Sequence, residues 1–188
     1  MMTNPYLFLD TETGGLDPRV HSLLTVGRVV GDATGVKDSL EIAIKHEPYV
    51  VSGGGMKVNR IDLVAHHEHA VSPQGALDLL DGFLDKHFPK DVRAVLVGHN
   101  ITFDHAFLNV FLSSLGRDPE ARIDHRSVDT HAVAAALRDA GRLALPKLSS
   151  DALFRHFAVE PPEAKRHTAL GDALATFELY WKLVGLMA

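Results

Sequence analysis

The sequence predicts an α/β domain in which a mixed sheet is covered by helices, and two observations carry that prediction. Strand-like apolar runs come first in the chain, and strand and helix signals then alternate to its end. No linker, repeat or low-complexity tract divides the chain, so residues 1–188 are expected to form one domain with one substantial core.

The early strands fall at about Tyr6–Asp10, Leu23–Val30 and Leu40–His46, with turn residues Gly14-Gly15, Gly31-Asp32 and Thr34-Gly35 between them. That spacing reads as an antiparallel meander. The glycine run in Ser52–Gly55 is expected to be a loop. Ser72-Pro73 offers a cap and a first-turn proline to a helix in which Ala76, Leu77, Leu80, Phe83 and Leu84 recur at helical spacing. Ala94–Val97 is a short apolar strand ending at Gly98-His99-Asn100, and a strongly apolar helix follows over about Thr102–Leu115. Val128 opens another short strand, and helices over about Ala132–Ala140, Ser149–Phe157 and Thr168–Met187 complete the order.

Composition narrows the function. Hydrophobic residues make up 46% and charged residues 23%, the balance of an ordinary globular protein. A formal net charge of −5 argues against a protein that coats nucleic acid with a broad basic surface. It leaves open an enzyme that touches a few nucleotides and lets metal ions neutralise the phosphate. The absence of cysteine excludes disulfides, thiolate metal sites and a cysteine nucleophile. The first apolar stretch lacks a basic lead and runs into Asp10, so neither a signal peptide nor a membrane span is expected, and a cytoplasmic location follows as the default.

The chemistry centres on acids placed where acids are costly. Asp10 and Glu12 end the first strand, and side chains two residues apart on a strand share a face. Two uncompensated anions at the edge of a core are unfavourable, and hard oxygen donors of this kind suit Mg²⁺ or Mn²⁺. Asp104 stands in the first turn of a helix whose neighbours Phe103, Ala106, Phe107, Leu108, Val110 and Phe111 leave it little polar surface. Asp172 heads an apolar stripe with Leu179, Leu183 and Leu186, where a solvated role fits poorly. His167, five residues earlier, would be turned about 140° from Asp172 on one helix, so it is placed on the loop entering that helix, facing the acids across a cleft. His66-His67-Glu68-His69 reads as a polar helical turn with a solvated face, Asp129 as a strand end or helix cap, and Asp17-Pro18 as a turn. Lys165 and Arg166 are the one suggestive basic pair.

Together, Asp10-Thr11-Glu12-Thr13-Gly14-Gly15-Leu16, Gly98-His99-Asn100-Ile101-Thr102-Phe103-Asp104 and His167-Thr168-Ala169-Leu170-Gly171-Asp172-Ala173 resemble the three motifs of the DEDD superfamily of 3′-5′ exonucleases, in its DEDDh or DnaQ-like branch. The resemblance spans nearly the whole chain. It implies a ribonuclease-H-like fold with a five-stranded mixed sheet flanked by helices, and a two-metal hydrolysis that releases nucleoside 5′-monophosphates from a 3′ end. It assigns Asp10 to bridging two divalent cations, Glu12 and Asp172 to the first site, Asp104 to the second, and His167 to the general base. It places Thr13 and Gly14 against the terminal 3′-OH, Leu16 as a wedge on the terminal base, and Asn100 and Phe103 in the same pocket. Gly14 stands where many proofreading members carry a second threonine, and a small residue there is more like ribonuclease T. The expected partner is a single-stranded or frayed nucleic-acid end, DNA in preference to RNA. The sequence stops just after its last helix, at Ala188, and its single glutamine, Gln74, sits at the start of a helix, so neither a polymerase-binding tail nor a clamp-binding peptide is expected. The alternatives are a 3′-5′ exoribonuclease and a catalytically idle nuclease-like binding module.

Overall fold

The structure, a computed structural model, describes residues 6–162 and 165–188. A five-stranded sheet runs through it in the order β3-β2-β1-β4-β5. Strands β1 (Tyr6–Thr13), β2 (Leu23–Asp32) and β3 (Gly35–Ala43) form the expected antiparallel meander, and β4 (Ala94–Gly98) and β5 (Ile123–Asp129) add to it in parallel. The helices are α1 (Gly53–Asn59), α2 (Leu63–His69), α3 (Pro73–His87), α4 (Thr102–Ser114), α5 (Thr130–Asp139), α6 (Ser150–Phe157) and α7 (Ala169–Gly185). No described helix is long and apolar enough to cross a membrane.

The alternation along β1 fixes both layers. Leu7 and Leu9 face α3 and α4, packing with Leu80, Leu84, Phe107 and Leu108. Phe8 faces the other way, edge-on to Phe177 and Tyr180 of α7 at 4.9 and 5.5 Å between ring centroids. Asp10 and Glu12 continue the Phe8 face beyond the point where aromatic packing stops. Leu179 and Leu183 of α7 join Ala134, Leu137 and Leu153 in a third apolar cluster with α5 and α6.

Three elements depart from the sequence expectation. Residues Ser52–Gly55 start a helix instead of a loop, because the Ser52 hydroxyl accepts from Gly55 N and the Ser52 N–H donates to Gly14 O. Tertiary hydrogen bonding here overrides the low helix propensity of three glycines. Strand β5 starts well before Val128, its Asp124–Ser127 stretch reading as polar because it forms an exposed sheet edge. His66 is buried within α2, its Nε2 3.1 Å from Ile44 O, so the solvated-face reading of the His66–His69 segment holds for His69 and not for His66.

Arg28 was not anticipated at all. It sits on β2 with its guanidinium wholly buried against the Phe83 ring at 5.0 Å, and its three side-chain nitrogens have no hydrogen-bond partner among the described residues. Burial pulls the guanidinium down to about 9, so it still carries charge at neutral pH. Replacing a buried, unpaired charge by an apolar side chain of similar length is expected to stabilise. Arg28→Met should therefore raise stability by about 1–4 kcal/mol in chemical denaturation. A loss of stability would mean that the guanidinium has a partner in solution.

Candidate active site

β1 and α7 run in opposite directions, so the acids at the end of β1 meet the N-terminus of α7. Asp10 lies directly opposite Gly27 on β2, and Gly27 lies opposite Glu41 on β3. Gly27 is required at that crossing: a Cβ there would stand 2.2 Å from the Ala169 carbonyl carbon. With no side chain in the way, the first turn of α7 settles onto the sheet next to Asp10. Thr168 caps it, its hydroxyl accepting from Gly171 N at 3.1 Å.

The carboxylates converge. Ligand oxygens of Asp10, Glu12 and Asp172 all lie within 4.8 Å of one another. Asp104 is buried beside them, its Oδ1 accepting from both the N–H and the hydroxyl of Thr11 at 2.8 and 2.7 Å. Thr11 points to the opposite face from its acidic neighbours and so ties the first turn of α4 to the strand that carries them.

The electrostatics report crowding. Burial, then Asp104, Asp172 and Glu12, push the Asp10 carboxyl well above the usual carboxylate range. Burial followed by Asp172 and Asp104 pushes Glu12 up to about 8. Asp104 rises to about 7 through burial against the opposing pull of the Thr11 hydrogen bonds, and Asp172 to about 6 through burial opposed by His167. Among the described residues His167 and Arg166 are the basic side chains that offset this crowding, both at Asp172, and a cluster of oxygen donors of this kind suits Mg²⁺ or Mn²⁺.

His167 sits on the loop before the Thr168 cap with φ 58°, as a residue entering the helix from outside. It shares the walls of a cleft of about 250 Å³ with Glu12, Glu41, Asp62 and His69. Of the basic pair beside it, Arg166 is tied to Asp151 at 2.9 Å. Asn100 also has a positive φ, 57°, and its N–H donates to Asp129 Oδ1 at 3.0 Å. The same Asp129 oxygen caps α5 through His131 N, so the cap reading stands and the residue also holds the loop that carries Asn100.

The turn after β1 is cramped. Gly14 packs under Val50 and Val51, where a Cβ would stand 2.4 Å from Val50 O. Gly14 N donates to Ser22 O at 2.8 Å, and the buried Asn59 donates to Thr13 O at 2.9 Å. Leu16 projects from this turn at 83% exposure, with Val20, Val50, Val51 and Val58 also exposed. Phe103 is half-buried and tilted on Phe107 at 5.0 Å. Thr11, Asn59 and Asp129 escaped sequence reasoning as contributors to the site. Only the position of Thr11 between two acids could have flagged one of them.

The profile of a family described as Exonuclease, the RNase T group, matches residues 7–180. The chain belongs to this exonuclease family. Among curated relatives, the DNA polymerase III subunit epsilon of Rickettsia conorii is 28% identical over 192 residues, covering 95% of this chain and 73% of the relative. The PolC-type DNA polymerase III of Thermotoga maritima is 27% identical over 185 residues, and there the chain spans only 12% of the relative's length. Among solved structures, E. coli exonuclease I in complex with a dT13 oligonucleotide superposes with a TM-score of 0.81 over 95% of this chain and 40% of the other, at 16% identity. Product-bound exonuclease I superposes with a TM-score of 0.75 at 19% identity, over 95% of this chain and 42% of the other. These likenesses establish for this member of the exonuclease family the ribonuclease-H-like fold that the motifs implied.

Proposed function

We propose that residues 1–188 act as a metal-dependent 3′-5′ exonuclease domain on single-stranded or frayed DNA ends, releasing nucleoside 5′-monophosphates. The observation that carries the reading is the convergence of Asp10, Glu12 and Asp172 beside buried Asp104. Asp10, Glu12 and Asp172 would hold one divalent cation, and Asp10 with Asp104 a second, Mg²⁺ or Mn²⁺ serving in both. When bound, the cations supply Lewis-acid stabilisation of charge on the phosphate and on the leaving 3′ oxygen. Asp104 Oδ1 accepts two hydrogen bonds from Thr11, which leaves Oδ2 as the oxygen that would be free for a cation.

The residues of the chain supply the rest. A ring nitrogen of His167, which stands on the wall of the cleft that Glu12 also lines, takes the proton of the attacking water. The backbone of Thr13 and Gly14 meets the terminal 3′-OH, held in place by Asn59 donating to Thr13 O and Ser52 N–H donating to Gly14 O. Leu16 meets the terminal base, and Asn100 and Phe103 complete the pocket. The exposed aliphatic rim of Leu16, Val20, Val50, Val51 and Val58 favours unpaired over paired ends, because only unstacked bases offer a face to an apolar surface.

The preference for DNA is supported by the names of the relatives, a polymerase III epsilon subunit and an exonuclease I bound to dT13. Digesting matched labelled single-stranded DNA, single-stranded RNA and blunt duplex with Mg²⁺ tests it. Single-stranded DNA should be shortened fastest, one nucleotide at a time from the 3′ end. Faster digestion of RNA would make the chain an exoribonuclease, and no cleavage with either Mg²⁺ or Mn²⁺ would favour a binding module.

A further inference from the structure

Glu41 has a place that the reaction described above leaves unused. It stands on β3 in the same cross-sheet row as Gly27 and Asp10, and side chains of such a row share a face. Its Oε1 accepts from Leu170 N at 2.9 Å, across 129 positions of sequence. Leu170 N is one of the orphan donors of the first turn of α7. Thr168 satisfies the neighbouring donor on Gly171, and both Thr168 and Lys165 belong to the loop that carries His167.

The body of α7 does not depend on this contact. Phe177 and Tyr180 pack on Phe8, and Leu179 and Leu183 pack with α5 and α6, all beyond the first two turns. The first turn rests on bare Gly27, with Leu170 packed at the rim of the Phe8 cluster, and is flanked by His167 and Asp172. His167 is held at φ 58°, a conformation unfavourable for a non-glycine residue that persists only where its surroundings fix it. The Glu41 carboxylate, reaching from the sheet to the Leu170 amide, adds a polar restraint from β3 to the apolar packing of that turn.

We propose that Glu41 is a positioning residue, whose carboxylate oxygen clamps the start of α7 to β3 and so sets where the His167 ring and the Asp172 carboxylate stand relative to Asp10 and Glu12. The proposal rests on the exonuclease reading for its effect on rate, and on the hydrogen bond alone for its effect on the helix. Glutamine retains an acceptor oxygen at the same reach, and alanine does not.

The test compares Glu41→Gln and Glu41→Ala with the parent chain in steady-state cleavage of a single-stranded DNA oligonucleotide with Mg²⁺, alongside hydrogen exchange of the Leu170 amide. Glu41→Ala should lower kcat about ten- to fiftyfold with KM within about twofold, as expected when reacting groups are displaced by a fraction of an ångström. Its Leu170 amide should exchange at least about fivefold faster, with the unfolding midpoint little changed. Glu41→Gln should keep kcat within about twofold and retain the protected amide. Parental kcat in Glu41→Ala, or an equal fall in both variants, would overturn the positioning role. If the parent chain cleaves nothing, the exonuclease reading fails, and the Leu170 exchange still reports whether the clamp exists.

Discussion

Asn in place of Asp10 is expected to lower the rate of divalent-dependent cleavage by about a thousandfold or more, while making the metal-free protein more stable. Asp10 sits nearest the centre of the acid cluster, with Asp104, Asp172 and Glu12 all raising its pKa. Under the proposed mechanism it is the carboxylate shared by both cations, so its loss removes electrostatic stabilisation that enzymes of this kind depend on for two to three powers of ten per group. Without cations Asp10 must either ionise among like charges or hold a proton that the unfolded chain releases, and asparagine escapes both costs. The unfolding midpoint of Asp10→Asn in EDTA should stand several degrees above that of the parent, and added Mg²⁺ should no longer shift it. Cleavage within tenfold of the parent would place the metal centre elsewhere. His167→Ala should also lose activity and yet keep the Mg²⁺-dependent rise in midpoint, which separates the proton-transfer role from the metal-holding one.

Why the acids that converge in this candidate site stand out in the sequence follows from where they lie. Asp10 and Glu12 share a strand face whose neighbours are Phe8 and Tyr6, and Asp172 shares a helix with Phe177 and Leu179, so each breaks a periodic apolar pattern that the sequence displays. A broken period is a local signal. Glu41 breaks no pattern, because it lies on an exposed strand near the sheet edge where a charged residue is ordinary, and its significance comes from an amide 129 positions away. Asp129 and Asn59 are likewise unremarkable until the loops they hold are brought to them. The helix α1 was missed for the same reason: glycines argue for a loop until Ser22, Gly14 and Asn59 supply the long-range hydrogen bonds that fix it. Arg28 was invisible in a different sense. Its pattern position called for an apolar residue, and nothing in the sequence reveals that its charge has been buried without a partner.

The same acid cluster predicts how stability depends on pH and metal. A carboxyl whose pKa is raised on folding holds its proton more tightly in the folded state. The folded state therefore has its full advantage from that proton below the unfolded value and loses it as pH rises through the folded value. For Glu12 that window runs from 4.5 to about 8, for Asp104 from 3.8 to about 7 and for Asp172 from 3.8 to about 6. In EDTA the unfolding midpoint should fall progressively between about pH 5 and pH 8, as the acids ionise against one another. Divalent cations reverse this, because they bind only the ionised set and bind the folded state alone. At a hundredfold excess over the dissociation constant, a single bound ion contributes about 2.7 kcal/mol, which for a chain of this size is a rise of roughly 5–10 °C. The rise on adding Mg²⁺ or Mn²⁺ should thus be small near pH 5 and largest near pH 8, and scanning calorimetry across that range measures it directly. Equal rises at both ends would mean that the ions bind groups already ionised at pH 5, outside the cluster of Asp10, Glu12, Asp104 and Asp172. Cleavage should follow the same curve from below, its acid limb set by deprotonation of the cluster in competition with the cations, so that raising Mg²⁺ moves that limb to lower pH.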